Sequence, residues 1–331
     1  MKASAIKRAL TAASKAGRPI MVWGSYGVGK STVTRQWARE SGRKIYEMTT
    51  TALEPIDLRG LCSIKNGKTV WNPPNFLPTE PGCILHIEDL TNGHPQVLTA
   101  LYALILDGRL GDYVLPDNTM IVANGNRETD KSYATKMPMA LAARFVHIDF
   151  DFDLNDWINN AIDNQFTMDV ICFGRAFPGL INLPDPNGKE KAQPVPRTWE
   201  FASDLLKAIP DKDLVFELIS GTVGKAAAIE FCAFREVFEE LPDVSAILKN
   251  PLTLKEFPSK VSVMYAFIGA MSRRVEKTSF KNFLVIADRM ISEKLSEFGV
   301  TMVMDGIRYK PELKETKEYI GWISAHQNLF K

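Results

Sequence analysis

Apolar positions along the first 150 residues alternate between two rhythms. Residues 2–16 are rich in alanine and set Ile6, Leu10 and Ala13 on one helical face, with Gly17 placed to end that helix. The run 19–23, Pro-Ile-Met-Val-Trp, is short and apolar and predicts a buried strand. A glycine-rich turn follows, then helical spacing over 30–40 and a second strand over 44–49. Further strands are predicted at 83–87, announced by Pro81-Gly82, and at 119–123 and 145–150. Between them, Val97, Leu98, Leu101, Leu104 and Ile105 recur at helical spacing over 95–107. Asn66-Gly67, set between β-formers in 60–72, is a hairpin signal, and 108–115 reads as a second hairpin. Strands alternating with helices predict an α/β core with a parallel sheet.

After residue 153 the spacing becomes mostly helical. Proline-rich 184–196 reads as a loop, 198–240 as two or three helices, 241–261 as a second loop, and the rest as helices. The expected division is an α/β core over 1–152, a helical lid over 153–240 and a helical C-terminal extension over 241–331. No repeat or low-complexity tract interrupts it.

Composition narrows the class. The chain has 331 residues with 40 Lys+Arg against 39 Asp+Glu, a formal net charge of +1. That balance gives no electrostatic footprint for general nucleic-acid or membrane-surface binding. Cys62, Cys83, Cys172 and Cys232 are widely spaced and form no metal-type pair, which fits a reducing compartment. No apolar run is long enough for a membrane span or signal peptide, so a cytoplasmic protein is expected.

The chemistry concentrates in three places. Gly24-Ser25-Tyr26-Gly27-Val28-Gly29-Lys30-Ser31 fits the G-x-x-x-x-G-K-[ST] pattern between a strand and a helix. Glycines let such a loop wrap phosphates with its N–H groups, and the helix N-terminus adds partial positive charge. Lys30 can reach the β- and γ-phosphates of ATP, and the Ser31 hydroxyl can bind Mg2+. Glu88-Asp89 follows the strand 83–87, where one acid can support the metal and the other activate water. Val122-Ala123-Asn124-Gly125-Asn126 is a strand ending in amides able to orient the attacking water or touch the γ-phosphate. Two solvated acids and a polar turn are the plainer alternatives for the last two; the loop about sixty residues upstream of the acids favours the functional reading.

In this order and spacing the three elements resemble the MoxR family of ring-forming AAA+ ATPases, over roughly residues 15–200. The insert 59–75 is similar to the family's hairpin insert, Asn92-Gly93-His94-Pro95-Gln96-Val97 to its proline-containing helix start, and 106–116 to its pre-sensor hairpin. The resemblance implies a Walker A loop at 24–31, a Walker B pair at Glu88 and Asp89, and a sensor 1 at Asn126, with Asn124 as the near alternative. It also implies an arginine finger at Arg144, closing the segment 137–145, and a sensor 2 at Arg197, closing Pro194-Val195-Pro196-Arg197. One departure stands out, because the family has Asp then Glu where this chain has Glu88 then Asp89. Asp89 is shorter by one C–C bond, and a misplacement of about 1 Å costs on the order of a hundredfold in rate. Slow hydrolysis with intact nucleotide binding is the expectation.

The implied function is an ATPase binding Mg·ATP at subunit interfaces of a ring, usually a hexamer. Such a motor remodels a protein client in the manner of a chaperone, often beside a von Willebrand factor A domain protein. Two alternatives remain: a nucleic-acid-associated AAA+ motor, for which Lys65, Lys68 and Lys131 would be the candidate phosphate contacts, and a slowly hydrolysing nucleotide-gated scaffold. No motif of the family covers the chain beyond about residue 210.

Overall fold

The structure, a computed structural model, describes residues 1–127, 137–188, 190–208, 212–237 and 241–330. Lys131 lies outside the described residues. The chain divides into two compact units, Met1–Asp153 with Pro184–Asn187, and Leu154–Leu183 with Gly188–Lys331.

The first unit is an α/β sandwich. Its order is α1 (Ala3–Lys15), β1 (Ile20–Trp23), α2 (Lys30–Glu40), β2 (Ile45–Thr49), α3 (Pro55–Arg59), β3 (Leu61–Lys65), β4 (Lys68–Asn72), β5 (Ile84–Glu88), α4 (Pro95–Asp107), β6 (Arg109–Leu110), β7 (Tyr113–Val114), β8 (Met120–Gly125), α5 (Met139–Ala142) and β9 (Val146–Asp149). Five strands form one sheet in the order β2-β5-β8-β1-β9, and all neighbours run parallel. The period-two alternation of each strand divides its side chains between two cores. Ile20, Val22, Ile84 and Val122 pack with Ile6, Leu10, Val33 and Trp37 of α1 and α2. Met21, Leu85, Ile87 and Ala123 face the other way, onto Leu98, Leu101 and Leu104 of α4. The central strands β1 and β8 are therefore buried on both faces, which is why the sequence shows continuous apolar runs there, whereas the edge strands β2 and β9 keep polar, part-exposed positions.

Local chemistry sets the boundaries. Gly17, at φ +63°, ends α1 in a Schellman turn in which Arg18 N–H donates to the Ala13 carbonyl and Gly17 N–H to that of Ser14. Asn66 and Gly67 both have positive φ, as the tight β3–β4 turn requires. Two strand ends run further than their apolar spacing suggests. β5 includes Glu88, because its register continues to Thr49 of β2, and β8 includes Asn124 and Gly125, paired with Val22 and Trp23 of β1. Polar residues there are held by the ladder, so the strands carry them into the sheet's C-terminal edge.

The second unit is helical. It comprises α6 (Leu154–Asp163), α7 (Met168–Ala176), α8 (Pro196–Ala208), α9 (Val215–Val223), α10 (Lys225–Val237), α11 (Val244–Lys249), α12 (Val261–Arg274), α13 (Phe280–Ser292), α14 (Ser296–Tyr309) and α15 (Lys317–Ala325). Phe267, Phe280, Phe283, Met290 and Met302 centre its larger core. Arg175 of α7 and Asp305 of α14 form a bidentate pair almost wholly out of water. The parallel core followed by helices is the architecture expected from the sequence. All four cysteines are free. Among the described residues no helix is long and apolar enough to cross a membrane.

Candidate nucleotide site

The turn from β1 into α2 needs a backbone that L side chains rarely adopt. Gly27 and Gly29 sit at φ +71° and +106°, which only glycine takes without strain. Val28 is buried against the α2 side of the sheet and anchors the loop. Gly29 is the N-cap of α2, and no side chain caps that end. The loop is thereby shaped to offer its N–H groups to an anion.

Lys30, 8% exposed, is held at this turn by three acceptors. Its Nζ donates to the carbonyls of Gly24 at 2.8 Å and Ser25 at 2.9 Å, and to Asn126 Oδ1 at 2.7 Å. Asn126 lies one residue past β8 and is buried. The two amides are used differently: Asn126, the preferred sensor position, touches the lysine, while Asn124, the alternative, meets Asp89, Ser31 and His86.

Asn124 is 2% exposed and ties three segments together. Its Oδ1 accepts from the Asp89 backbone N–H at 3.0 Å. Its Nδ2 contacts Ser31 Oγ at 3.1 Å and His86 Nε2 at 3.0 Å. An amide N–H can meet only an acceptor, so the contact with Asp89 fixes which end of Asn124 is oxygen. Both Nδ2 hydrogens are then donated, one to Ser31 and one to His86. His86 Nε2 is thus unprotonated, and the proton sits on Nδ1, 2.9 Å from Glu47 Oε1.

Glu47 is shared. Arg35 Nε approaches its carboxylate at 2.8 and 3.2 Å, while Arg35 Nη2 donates to Glu88 Oε1 at 2.9 Å. The His86 hydrogen bond, and after it the Arg35 contacts, hold the Glu47 carboxyl below its ordinary range against the opposing effect of burial. Glu47 therefore stays ionised at neutral pH, and the stabilisation it supplies is lost only as pH falls through its depressed value. Glu47, His86 and Glu88 bring three ligand-type atoms within 4.8 Å of one another. The protonated Nδ1 and the arginine bridging both carboxylates make this an ion-paired relay and not a ready metal cage. Sequence reading missed Arg35, Glu47 and His86. A histidine inside an otherwise apolar strand was the available signal.

The acidic pair is split by its backbone. Glu88 is in β5 on the same face as His86, toward α2. Asp89 lies just beyond, in the left-handed region at φ +52°. That conformation costs most residues roughly 1–2 kcal/mol, and aspartate tolerates it better than most. The Asp89 carbonyl accepts from Thr50 Oγ1 at 2.6 Å, which helps fix it. The order Glu then Asp thus has a local physical reason.

Arg144 is exposed between α5 and β9, and the buried ring of Phe145 anchors the next position. His147 links this segment to β1, since Trp23 Nε1 donates to its Nδ1 at 2.9 Å and its Nε2 donates to the Ala142 carbonyl at 2.8 Å. Arg197 belongs to the second unit, where it is exposed in the first turn of α8.

Residues 19–145 match the family model described as the AAA domain, dynein-related subfamily. With the five-stranded parallel sheet, this makes the first unit a P-loop AAA+ core. Similar solved structures include RuvB from Thermotoga maritima, described as a Holliday junction branch migration motor, at 17% identity over 76% of this chain and 74% of that one with a TM-score of 0.38. A putative ATPase from Cytophaga hutchinsonii is 16% identical over 66% of this chain and 80% of its own, at a TM-score of 0.38. NtrX from Brucella abortus, in complex with ADP, is 11% identical over 99% and 67%, at 0.37. No curated protein matches the sequence.

Lys30→Ala removes the ammonium that the loop carbonyls and Asn126 converge upon. ATP affinity should fall at least about tenfold while the circular dichroism spectrum keeps its helical shape, because this lysine adds charge at the loop and packs no core. Unchanged affinity in a folded variant contradicts a phosphate role for the loop.

Proposed function

We propose that the chain is an AAA+ ATPase that binds Mg·ATP at the β1–α2 turn and hydrolyses it across subunit interfaces of a ring. The observation carrying this reading is the convergence of Lys30, Ser31, Asn124, Asn126, Glu88 and Asp89 on the C-terminal edge of one parallel sheet. Open carboxyl ends of parallel strands are where such folds take their ligands. The uncapped N-terminus of α2 fits a phosphate chain. Ser31 keeps a lone pair after accepting from Asn124, so it and Glu88 would hold Mg2+, which neutralises charge on the phosphate oxygens when bound. Gly24, Ser25, Tyr26, Gly27, Val28 and Gly29 supply the wrapping backbone. Lys30 draws the phosphates in, Asn126 positions the γ-phosphate beside it, and Asp89 orients the attacking water.

Arg144 is proposed as a finger acting on the neighbouring subunit's nucleotide. An exposed guanidinium anchored through Phe145 and His147 is free to reach out of its own subunit. Arg197 is proposed as sensor 2. In this reading the protein is a MoxR-like remodeler of a protein client. The β3–β4 hairpin supports that client role, because Leu61 and Ile64 are 79% and 83% exposed on opposite faces of a two-stranded sheet with no core of its own.

A second reading, a nucleic-acid-associated motor, has one observation in its favour. The same hairpin carries Lys65 and Lys68, Arg59 ends the helix just before it, and no acidic residue falls between Leu58 and Thr79. Binding to DNA that falls steeply with salt would be its mark.

Two experiments bear on the proposed chemistry. Asp89→Asn should keep Mg·ATP affinity while turnover drops roughly a hundredfold or more, since a water-activating group works mainly in the transition state. Glu88→Gln should in addition raise the Mg2+ needed for tight binding. Hydrolysis at the wild-type rate by Asp89→Asn, with the wild type clearly active, contradicts its role. For the ring, Arg144→Ala subunits should bind ATP yet hydrolyse it poorly. Mixing them with Lys30→Ala subunits should restore part of the activity, because some interfaces then pair an intact loop with an intact arginine. Co-assembled mixtures that recover nothing would argue against action in trans.

A further inference from the structure

We infer that His86 is a positioning residue that sets the orientation of the Asn124 carboxamide, and through it the Ser31 hydroxyl and the Asp89 backbone. This rests on the proposed role of Ser31 and Asp89 in Mg·ATP chemistry.

His86 is completely buried in β5, between the apolar Leu85 and Ile87. A leucine there would bury more apolar surface and need no hydrogen bonds, so a buried imidazole at this place asks for a reason. Both of its nitrogens are used. The chain of partners runs from the exposed Arg35 through Glu47, His86 and Asn124 to Ser31 and Asp89.

Each link dictates the polarity of the next. The ionised Glu47 can only accept, so it draws the proton to His86 Nδ1. The Asp89 N–H can only donate, so Asn124 turns Oδ1 to it and Nδ2 to His86, whose Nε2 therefore accepts. The second Nδ2 hydrogen is aimed at Ser31 Oγ. A flipped carboxamide would set Nδ2 against the Asp89 N–H and Oδ1 against the bare Nε2, two like-to-like contacts at about 3.0 Å. One orientation of Asn124 survives. In that orientation Ser31 accepts from Asn124, which leaves its own proton and remaining lone pair directed elsewhere. Asp89 is held at its left-handed φ by the same amide on one side and by Thr50 on the other.

Two substitutions separate the two ends of the imidazole. His86→Gln keeps an acceptor at the distance of Nε2. His86→Asn keeps only a donor near Nδ1, for Glu47, and loses Asn124. In nucleotide-free protein, hydrogen exchange at the Asp89 amide should rise about tenfold or more in His86→Asn, and stay within about threefold of wild type in His86→Gln. The Mg2+ concentration giving half-maximal ATP affinity should rise about tenfold in His86→Asn, the usual scale for losing a group behind a metal ligand, with Mg2+-free affinity little changed. Thermal midpoints of both variants are measured alongside. Equal exchange in the two variants, or changes that simply follow the thermal midpoint, overturns the inference. An exchange contrast with no change in Mg2+ dependence overturns the positioning role in metal binding. Should His86→Asn fail to fold, 15N NMR of the wild type decides, because a proton on Nδ1 is required and a proton on Nε2 contradicts the scheme. The exchange and NMR readings need no ATP, so a wild type that binds no nucleotide refutes the proposed function without touching them.

Discussion

A carboxamide buried at the C-terminal end of a parallel strand needs a partner for its oxygen and for each of its two amide hydrogens. Leaving one without a partner costs roughly 1–3 kcal/mol. Asn124 meets that demand with partners from three segments: Ser31 at the start of α2, His86 in β5, and the backbone of Asp89 beyond β5. The requirement sets the spacing of α2 from the acidic end of β5. It also explains why β8 runs on to Gly125 and β5 on to Glu88, since the amide has to be delivered level with both. Lys30 and Asn126 form a second, adjacent tie between the loop and the end of β8. The two ties leave the loop, the acids and the end of β8 little freedom to separate.

Much of this was legible in the sequence. The central strands follow from short apolar runs, because a strand buried on both faces has few polar positions to confuse its reading. The glycine-lysine-serine turn is visible since its chemistry needs those residue types consecutively. The end of β5 was less legible, because Glu88 is a polar residue kept in the strand by its pairing with Thr49. Least legible was the relay behind the site. Arg35, Glu47 and His86 come from three elements and meet only once the sheet order is known.

The Glu88-Asp89 order has a structural rationale of the same kind. A left-handed backbone at position 89 suits aspartate, and Arg35 on α2 draws the longer Glu88 carboxylate toward Glu47. The pair is thus held by elements on either side of it, and restoring the reverse order would place a longer side chain in the strained conformation.

Calorimetric titration of ATP into the wild-type chain, with and without Mg2+, tests the central claim most directly. A single saturable site per chain, with an affinity that depends on Mg2+, is the expected result. Folded protein that takes up no ATP at millimolar nucleotide, or binds it identically whether or not Mg2+ is present, would contradict it.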